Sequence, residues 1–151
     1  MEMSGEYRID APIADVWAAL NDVAVLKVCI PGCEELEKTS DTEMTAKVAL
    51  KIGPVKARFK GAVSFENVDA PNGYSIVGEG QGGIAGFAKG GADVQLIEDG
   101  HATVLTYQAK AQVGGKMAQL GSRLIKSTSA KLADKFFKNF RDALAAEDVS
   151  A

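Results

Sequence analysis

The chain has 151 residues, 46% of them hydrophobic and 25% charged, and a formal net charge of −3 at pH 7. No apolar run approaches the ~20 residues that span a bilayer, and two cysteines are too few for a disulfide scaffold, so both of these classes are excluded. Residues 1–10 lack the apolar core of an export signal. We therefore expect a cytoplasmic protein with one domain over residues 1–146 and a short disordered tail over residues 147–151.

The first third of the chain predicts one strand and two short helices. Residues 2–10 have the pattern of a strand. Residues 12–22 have one apolar helical face, and Pro12 suits the first turn of that helix. Residues 23–30 predict a second short helix, which Pro31-Gly32 ends.

Between Cys33 and Val113 apolar residues alternate with polar ones, which is typical of antiparallel strands with one covered and one wet face. Turn-forming residues separate the runs at positions 53–54, 71–73 and 98–101. The pattern predicts six strands in a meander. The apolar positions of the clearest runs are Met44, Ala46, Val48, Leu50, Ile52, Val55, Ala57, Phe59, Val63, Phe65, Thr103, Leu105, Tyr107 and Ala109.

A long amphipathic helix is predicted over residues 116–145, with small side chains in its first half and phenylalanines in its second. A curved antiparallel sheet with one such helix must wrap the helix to cover its apolar face. The expected fold class is α+β, a helix-grip: a curved antiparallel sheet of about seven strands around a long C-terminal helix, with two short helices after the first strand. The apolar stripe consists of Leu120, Leu124, Thr128, Leu132, Phe136, Phe140 and Leu144.

Charge is distributed unevenly along the chain. Residues 116–146 carry seven basic and two acidic side chains, whereas the remainder carries ten basic and eighteen acidic ones. This distribution does not favour a general nucleic-acid binder, and it suits an anionic membrane surface or an acidic partner. The alternative, that the helix cations only solvate an outer face, stays open. The cations predicted to contact a membrane or partner are Lys131, Lys135, Lys138 and Arg141.

Seven of the sixteen glycines lie within residues 78–91, and Gly78, Gly80 and Gly83 fit the pattern G-x-G-x-x-G. That fingerprint of dinucleotide binding requires a parallel βαβ unit in which the glycines open a helix. Residues 84–100 have the pattern of another strand instead, so no nucleotide site is expected. Two explanations stay open: the glycines leave a hollow beneath the long helix, or they bend a strongly curved sheet.

No catalytic or metal-binding constellation is evident. His101, the only histidine, falls in a predicted turn, and zinc would need more Cys and His. Cys29 and Cys33 are expected to be free thiols. A solvated position is favoured for Asp93 because an unpaired buried carboxylate is costly. The pattern favours a binding or carrier protein over an enzyme, with no metal and no covalent cofactor.

Three segments resemble the CoxG family of carbon monoxide dehydrogenase subunits, which belongs to the START-like (SRPBCC) helix-grip superfamily. They are "RIDAPIADVWAALNDVAVLKVCIPGCEELEK", "KIGPVKARFKG" and "TYQAKAQVGGKMAQLGSRLI". The most specific element is Cys29-Ile30-Pro31-Gly32-Cys33, reinforced by Ile52-Gly53-Pro54-Val55 and Gly61. The resemblance covers about residues 2–145.

The resemblance implies a non-catalytic accessory of a molybdenum-containing carbon monoxide dehydrogenase-type hydroxylase. It also implies a quinone or other hydrophobic ligand in the helix-grip cavity and recruitment of the dehydrogenase to the inner face of the cytoplasmic membrane. Many relatives continue into a tail suited to membrane attachment. This chain ends in a short acidic segment, so a transient membrane contact is expected.

Strand parity and the helix stripe predict the residues around this cavity. The predicted lining is Phe59, Tyr74, Ile76, Gly78, Gly80, Gly82, Tyr107, Leu120 and Leu124, and the predicted mouth is Ile30, Pro31 and Ile84. Two other functions stay open. One is a docking or maturation module for the dehydrogenase, with an incidental cavity. The other is a START-like cyclase or hydrolase, which would need an acid/base pair.

Overall fold

The computed structural model describes the backbone of residues 1–150 and the side chains of residues 1–146. The predicted tail over residues 147–151 falls outside the described side chains. In chain order the elements are β1 (Glu2–Ile9), α1 (Ile13–Leu20), α2 (Val23–Cys29), β2 (Cys33–Ser40), β3 (Glu43–Ile52), β4 (Val55–Asp69), β5 (Gly73–Gln81), the 3-10 helix η1 (Gly83–Ala85), β6 (Phe87–Asp99), β7 (Ala102–Gly114), the 3-10 helix η2 (Gly115–Leu120) and α3 (Ser122–Ser150).

All seven strands form one antiparallel sheet in the order β1-β7-β6-β5-β4-β3-β2. The six strands from β2 to β7 follow one another as a meander, and β1 closes the sheet by pairing with β7. The chain therefore has the predicted helix-grip fold: two short helices join the edge strands β1 and β2, and α3 lies across the inner face.

The meander places successive turns at opposite ends of the sheet. The β2–β3, β4–β5 and β6–β7 turns lie at one end, together with the end of β1. The β3–β4 turn, η1 and η2 lie at the other end. A strand rises ~3.3 Å per residue, so strands of nine or more residues hold the two ends ~30 Å apart.

The long helix begins later than predicted. Residues Gly115–Leu120 form η2, and Gly121, at φ +88°, separates η2 from α3. That left-handed backbone favours glycine and interrupts a continuous helix. The predicted stripe is also only partly correct: Phe140 and Leu144 are buried, but Ile125 is buried in place of Leu124, which is 36% exposed. Four residues turn an α-helix by ~400°, so a spacing of four drifts ~40° at each step.

Three apolar clusters hold the fold together. The largest joins α1, β1, β6 and β7 to the second half of α3 around the fully buried Phe140. A second forms around Leu26, Leu36 and Met44. The third, around Val55, Ala85 and Met117, lies at the end of the sheet that contains η1 and η2. The largest and the third cluster thus lie toward opposite ends and leave the middle of the inner face between them.

Candidate functional site

Two rows of facing residues cross the middle of the inner face and consist almost entirely of small side chains. The register of β3 to β7 defines both rows. All of these residues except Met44 are only half buried. The first row is Met44, Val63, Gly78, Gly90 and Ala111, and the second is Ala46, Gly61, Gly80, Ala88 and Val113.

The helix does not fill the space above these rows. A Cβ atom built on Gly80 has only two neighbours within 4 Å, the carbonyl oxygen of Lys60 and the Cβ of Phe59, each 3.8 Å away. Both atoms belong to the adjacent strand and neither belongs to α3. A helix packed closely on a sheet would place side chains here, so a hollow lies between α3 and the middle of the sheet.

The first half of α3 borders this hollow beside β7. Lys126 and Ala130 of α3 line one pocket together with Ile76, Tyr107 and Ala109 of the inner face. Further along the helix, Tyr107 stacks near Phe137, with ring centroids 6.4 Å apart. This side of the hollow therefore combines apolar carbon of Ile76 and Ala109 with polar groups, among them the Tyr107 hydroxyl and the Lys126 ammonium.

Next to this pocket, a hydrogen bond and an aromatic contact link β1 to α3. The hydroxyl of Tyr7 donates a hydrogen bond of 2.6 Å to Asp134, and the Tyr7 ring stacks on Phe137 with centroids 4.1 Å apart. Burial, followed by the Asp134 acceptor, raises the pKa of the Tyr7 hydroxyl. Tyr7 therefore remains a neutral hydrogen-bond donor at neutral pH and holds the helix against the edge strand.

The glycines of residues 78–91 occupy different structural environments. Gly80 leaves open space, as described above. At Gly90 a Cβ would collide with the carbonyl oxygen of Lys110, so this glycine permits the close approach of β6 and β7. At Gly82 the position of a Cβ is occupied by the ring of Phe59. The glycine-rich stretch forms strand, η1 and strand, with no crossover helix for a nucleotide.

The predicted lining residues occupy three kinds of position. Ile76, Gly78 and Gly80 follow one another on the inner face of β5, and Tyr107 borders the pocket with Ile76. Tyr74 is only 6% exposed and packs between Trp17 and Phe65, so it belongs to the packed core near the β4–β5 turn, at one end of the hollow. The others, Phe59, Gly82, Leu120 and Leu124, lie toward the η1 and η2 end, where Phe59 and Leu120 pack in the third cluster.

The three predicted mouth residues belong to different segments. Ile30 packs on the cluster of Leu26, Leu36 and Met44, and Pro31 follows it in the α2–β2 connection. Ile84 lies in η1 and is 91% exposed.

The remaining candidates lie outside the two inner-face rows. Asp93 is exposed on the outer face, as favoured from sequence, and accepts a hydrogen bond of 2.7 Å from the Ser75 hydroxyl. His101 is exposed in the β6–β7 turn. Cys29 and Cys33 are free thiols, and burial raises the pKa of each, which makes both weaker nucleophiles. Within residues 1–146 no group of His, Cys, Asp or Glu side chains has the arrangement of a metal site.

The predicted contact cations follow the exposed side of α3. Lys131, Lys135, Lys138 and Arg141 are all exposed. Lys138 forms an ion pair of 3.3 Å with Asp142 one turn later, an arrangement that usually stabilises a helix only slightly. No helix in the described part of the chain is both long enough and apolar enough to cross a bilayer.

Sequence reasoning missed most of the small-residue surface. Gly90, Ala92, Ala109 and Ala111 lie opposite or beside the β5 glycines on the inner face, and none was predicted as lining. Their shared alternation in β6 and β7 was visible in the sequence. Only the strand register shows that Gly90 and Ala111 continue the first row and that Ala92 and Ala109 form the neighbouring row with Ile76.

Comparison with known proteins identifies the family and the fold. The model of the CoxG family of carbon monoxide dehydrogenase subunits matches residues 5–145. A conserved protein from Geobacillus kaustophilus has a similar structure, with a TM-score of 0.92 and 28% identity over 97% of this chain and 96% of that one. No curated protein sequence matches significantly.

More distant structures share the fold. A START superfamily protein from Mycobacterium smegmatis has a TM-score of 0.73 and 12% identity, over 96% of this chain and 97% of that one. A STAR-related lipid transfer protein fragment from Xanthomonas axonopodis has a TM-score of 0.63 and 22% identity, over 95% of this chain and 85% of that one.

Proposed function

The chain belongs to the CoxG family of carbon monoxide dehydrogenase subunits, and from this premise we propose that it is a non-catalytic accessory protein of a carbon monoxide dehydrogenase-type molybdenum hydroxylase. In this proposal the hollow beneath α3 binds a hydrophobic ligand, a quinone. The protein thereby links the dehydrogenase to the cytoplasmic membrane, where it is peripheral. The family match supports the accessory role.

The open space at Gly80 carries the proposal of an internal ligand. It lies on a surface of glycine, alanine and valine. A flat ring and an apolar tail that bind there do not desolvate polar side chains of these rows. Burying ~300 Å² of ligand carbon contributes ~7 kcal/mol before the cost of association is subtracted. The Tyr107 hydroxyl and the Lys126 ammonium can donate hydrogen bonds to quinone carbonyl oxygens.

The position of the titratable candidates favours binding over catalysis. Acid/base chemistry on a ligand in the hollow would need a group within hydrogen-bond reach of it. His101 is in the β6–β7 turn and does not meet this requirement, and the Asp93 carboxylate, which lines the pocket beside β7 from the outer face, already accepts a hydrogen bond from Ser75. The alternative of a START-like cyclase or hydrolase therefore has no support from these two residues.

Quinone uptake tests the proposal directly. We expect a short-chain quinone, added in detergent micelles, to quench Trp17 fluorescence saturably. Trp17 packs on Tyr74, which lies at one end of the hollow. The Gly80→Leu variant should bind at least about tenfold more weakly, since Leu fills the hollow. The matched control is Glu79→Leu, which adds the same side chain at the adjacent, exposed position of β5. Equal binding by both variants, or no saturable quenching, would contradict the ligand proposal.

The docking-module alternative makes a different prediction for the same variant. If the Gly80→Leu protein captures the dehydrogenase and supports electron transfer to quinone as well as the unaltered chain does, the hollow is incidental. If capture is retained but electron transfer to the quinone pool is lost, the ligand and accessory functions are both supported.

A further inference from the structure

One end of the sheet is nearly free of acidic residues. Asp and Glu are absent from residues 44–65, 80–92 and 100–133. These segments meet around the third apolar cluster, to which the β3–β4 hairpin contributes Val55, η1 contributes Ala85 and η2 contributes Met117. Leu124, in the first turn of α3, lies beside Gly53 of the hairpin turn. We call this region the basic end.

The basic end presents six exposed cations from four parts of the chain. Among the described side chains, only Arg58 of the six forms an ion pair, with Glu34. The six are Lys51, Lys56, Arg58, Lys89, Lys116 and Arg123. Lys89 lies directly opposite Glu79 of β5. The other four cations form no ion pair among the described side chains, so their charge is available to a partner.

The strand pairing at this end places like charges against one another. Lys51 lies directly opposite Lys56. Like charges in facing positions destabilise a sheet. An anionic partner would remove this repulsion.

The connections at the opposite end of the sheet carry acidic residues. They are Asp10 after β1, Asp41 between β2 and β3, Asp69 at the end of β4, and Glu98 and Asp99 at the end of β6. Cations lie at that end too, since Arg8 pairs with Asp10 and Asp99. The two ends therefore differ in that the connections of the basic end carry cations without these acids.

An exposed apolar side chain lies among the cations. Ile84 is 91% exposed, and Gly83 and Gly86, at φ +61° and +113°, hold the short turn that presents it. Leu124 is a second exposed aliphatic residue at this end. An exposed aliphatic residue at an end of the sheet that also presents cations suits the boundary between headgroups and acyl chains.

We propose that the basic end is a docking surface for an anionic phospholipid bilayer, with Ile84 entering the interface. Most of its cations are lysines and its exposed apolar residues are aliphatic, whereas protein interfaces are depleted in Lys and enriched in aromatic residues. This inference rests on the membrane contact in the proposed function. It assigns that contact to the β3–β4 hairpin, η1 and η2 rather than to the second half of α3.

Vesicle co-sedimentation of the full chain tests the assignment. The vesicles are phosphatidylcholine alone, or phosphatidylcholine with about 30% phosphatidylglycerol. We expect binding only to the anionic vesicles, and weaker binding as salt rises from about 0.1 M to about 0.5 M. Lys51→Glu/Lys56→Glu should weaken binding at least about tenfold, because each cation near an anionic surface contributes to the attraction. This double change keeps a like-charged pair, so the domain should fold.

The matched control is Lys131→Glu/Lys135→Glu, which makes the same change of charge in α3. It should reduce binding much less than the hairpin variant does, and Ile84→Ser should reduce binding several-fold without altering its salt dependence. An equal or larger loss in the α3 variant would overturn the assignment, and so would the absence of binding to anionic vesicles. If the hairpin variant binds vesicles normally but loses the dehydrogenase, the basic end binds an acidic protein and the proposal is wrong.

The vesicle result and the quinone result are separable. Quinone uptake in detergent micelles needs no bilayer. Binding of vesicles through the basic end without any quinone uptake would refute the proposed ligand and leave the docking surface intact. Quinone uptake without vesicle binding would refute the docking surface alone.

Discussion

The indole of Trp17 meets the ring of Tyr74 edge-on, with ring centroids 5.2 Å apart, and this contact joins α1 to the inner face of β5. Tyr74 also stacks on Phe65 at 5.1 Å and is 6% exposed. Burial raises the pKa of the Tyr74 hydroxyl above its ordinary value of 10.0. Tyr74 lies at one end of the hollow, and deprotonation of its hydroxyl therefore destabilises the folded state.

Alkaline unfolding should depend on Tyr74. The raised pKa means that the folded state holds the proton more tightly, so the stabilisation is complete below pH ~10 and is lost as pH rises toward the folded-state pKa. Above pH ~10 the unfolding free energy should fall by up to ~1.4 kcal/mol per pH unit from this residue. Tyr74→Phe should flatten that slope. Urea titrations followed by far-UV circular dichroism measure it, and an unchanged slope would contradict the assignment.

The Tyr7–Asp134 hydrogen bond should contribute modestly to stability. Because Asp134 is exposed and Tyr7 is only half buried, we expect Tyr7→Phe to lower the unfolding free energy by about 1 kcal/mol, below the range for buried charge-assisted bonds. Asp134→Ala should have a similar effect. A double-mutant cycle separates this bond from the stacking of Tyr7 on Phe137, which phenylalanine preserves. Full additivity of the two changes would show that the bond contributes nothing.

Two glycines of the same inner face should respond oppositely to the same substitution. At Gly80 a Cβ meets nothing closer than 3.8 Å, so Gly80→Ala should be neutral or stabilise the domain by up to about 1 kcal/mol. At Gly90 a Cβ collides with the carbonyl oxygen of Lys110. Gly90→Ala should therefore destabilise by about 1–3 kcal/mol, because backbone must shift. Thermal denaturation of both variants measures these changes in stability. Similar melting temperatures would contradict the prediction that the two glycines respond oppositely.

Much of the fold was predictable because one period dominates each segment. The alternation through β3, β4 and β7 identifies strands, and the glycine and proline turns separate them, so the meander follows from local patterns. The start of α3 was not predictable in the same way. Leu120 extends the apolar stripe, but Gly115 and Gly121 both have positive φ and confine residues Gly115–Leu120 to a 3-10 helix.

The site was predictable only where it lies on one strand. Gly78 and Gly80 identify the inner face of β5, but Ala109 and Ala111 join them only through the register with β6 and β7. The basic end was missed for a related reason. Its cations come from segments far apart in the chain, whereas along the sequence an excess of basic residues is evident only in the C-terminal segment. A local charge count does not reveal which turns share an end of the sheet.

The two halves of α3 should differ strongly in their contribution to stability. Phe140 is fully buried in the largest cluster, whereas Leu124 is 36% exposed near the hairpin turn. Phe140→Ala should destabilise the domain by about 3–5 kcal/mol, because it removes a large buried ring and leaves a cavity. Leu124→Ala should cost less than about 1 kcal/mol, since little of its surface is lost from a packed core. Urea denaturation measures both. A large loss in Leu124→Ala would mean that the first half of α3 is packed on the sheet, and the hollow beneath it would then be too small for a ligand.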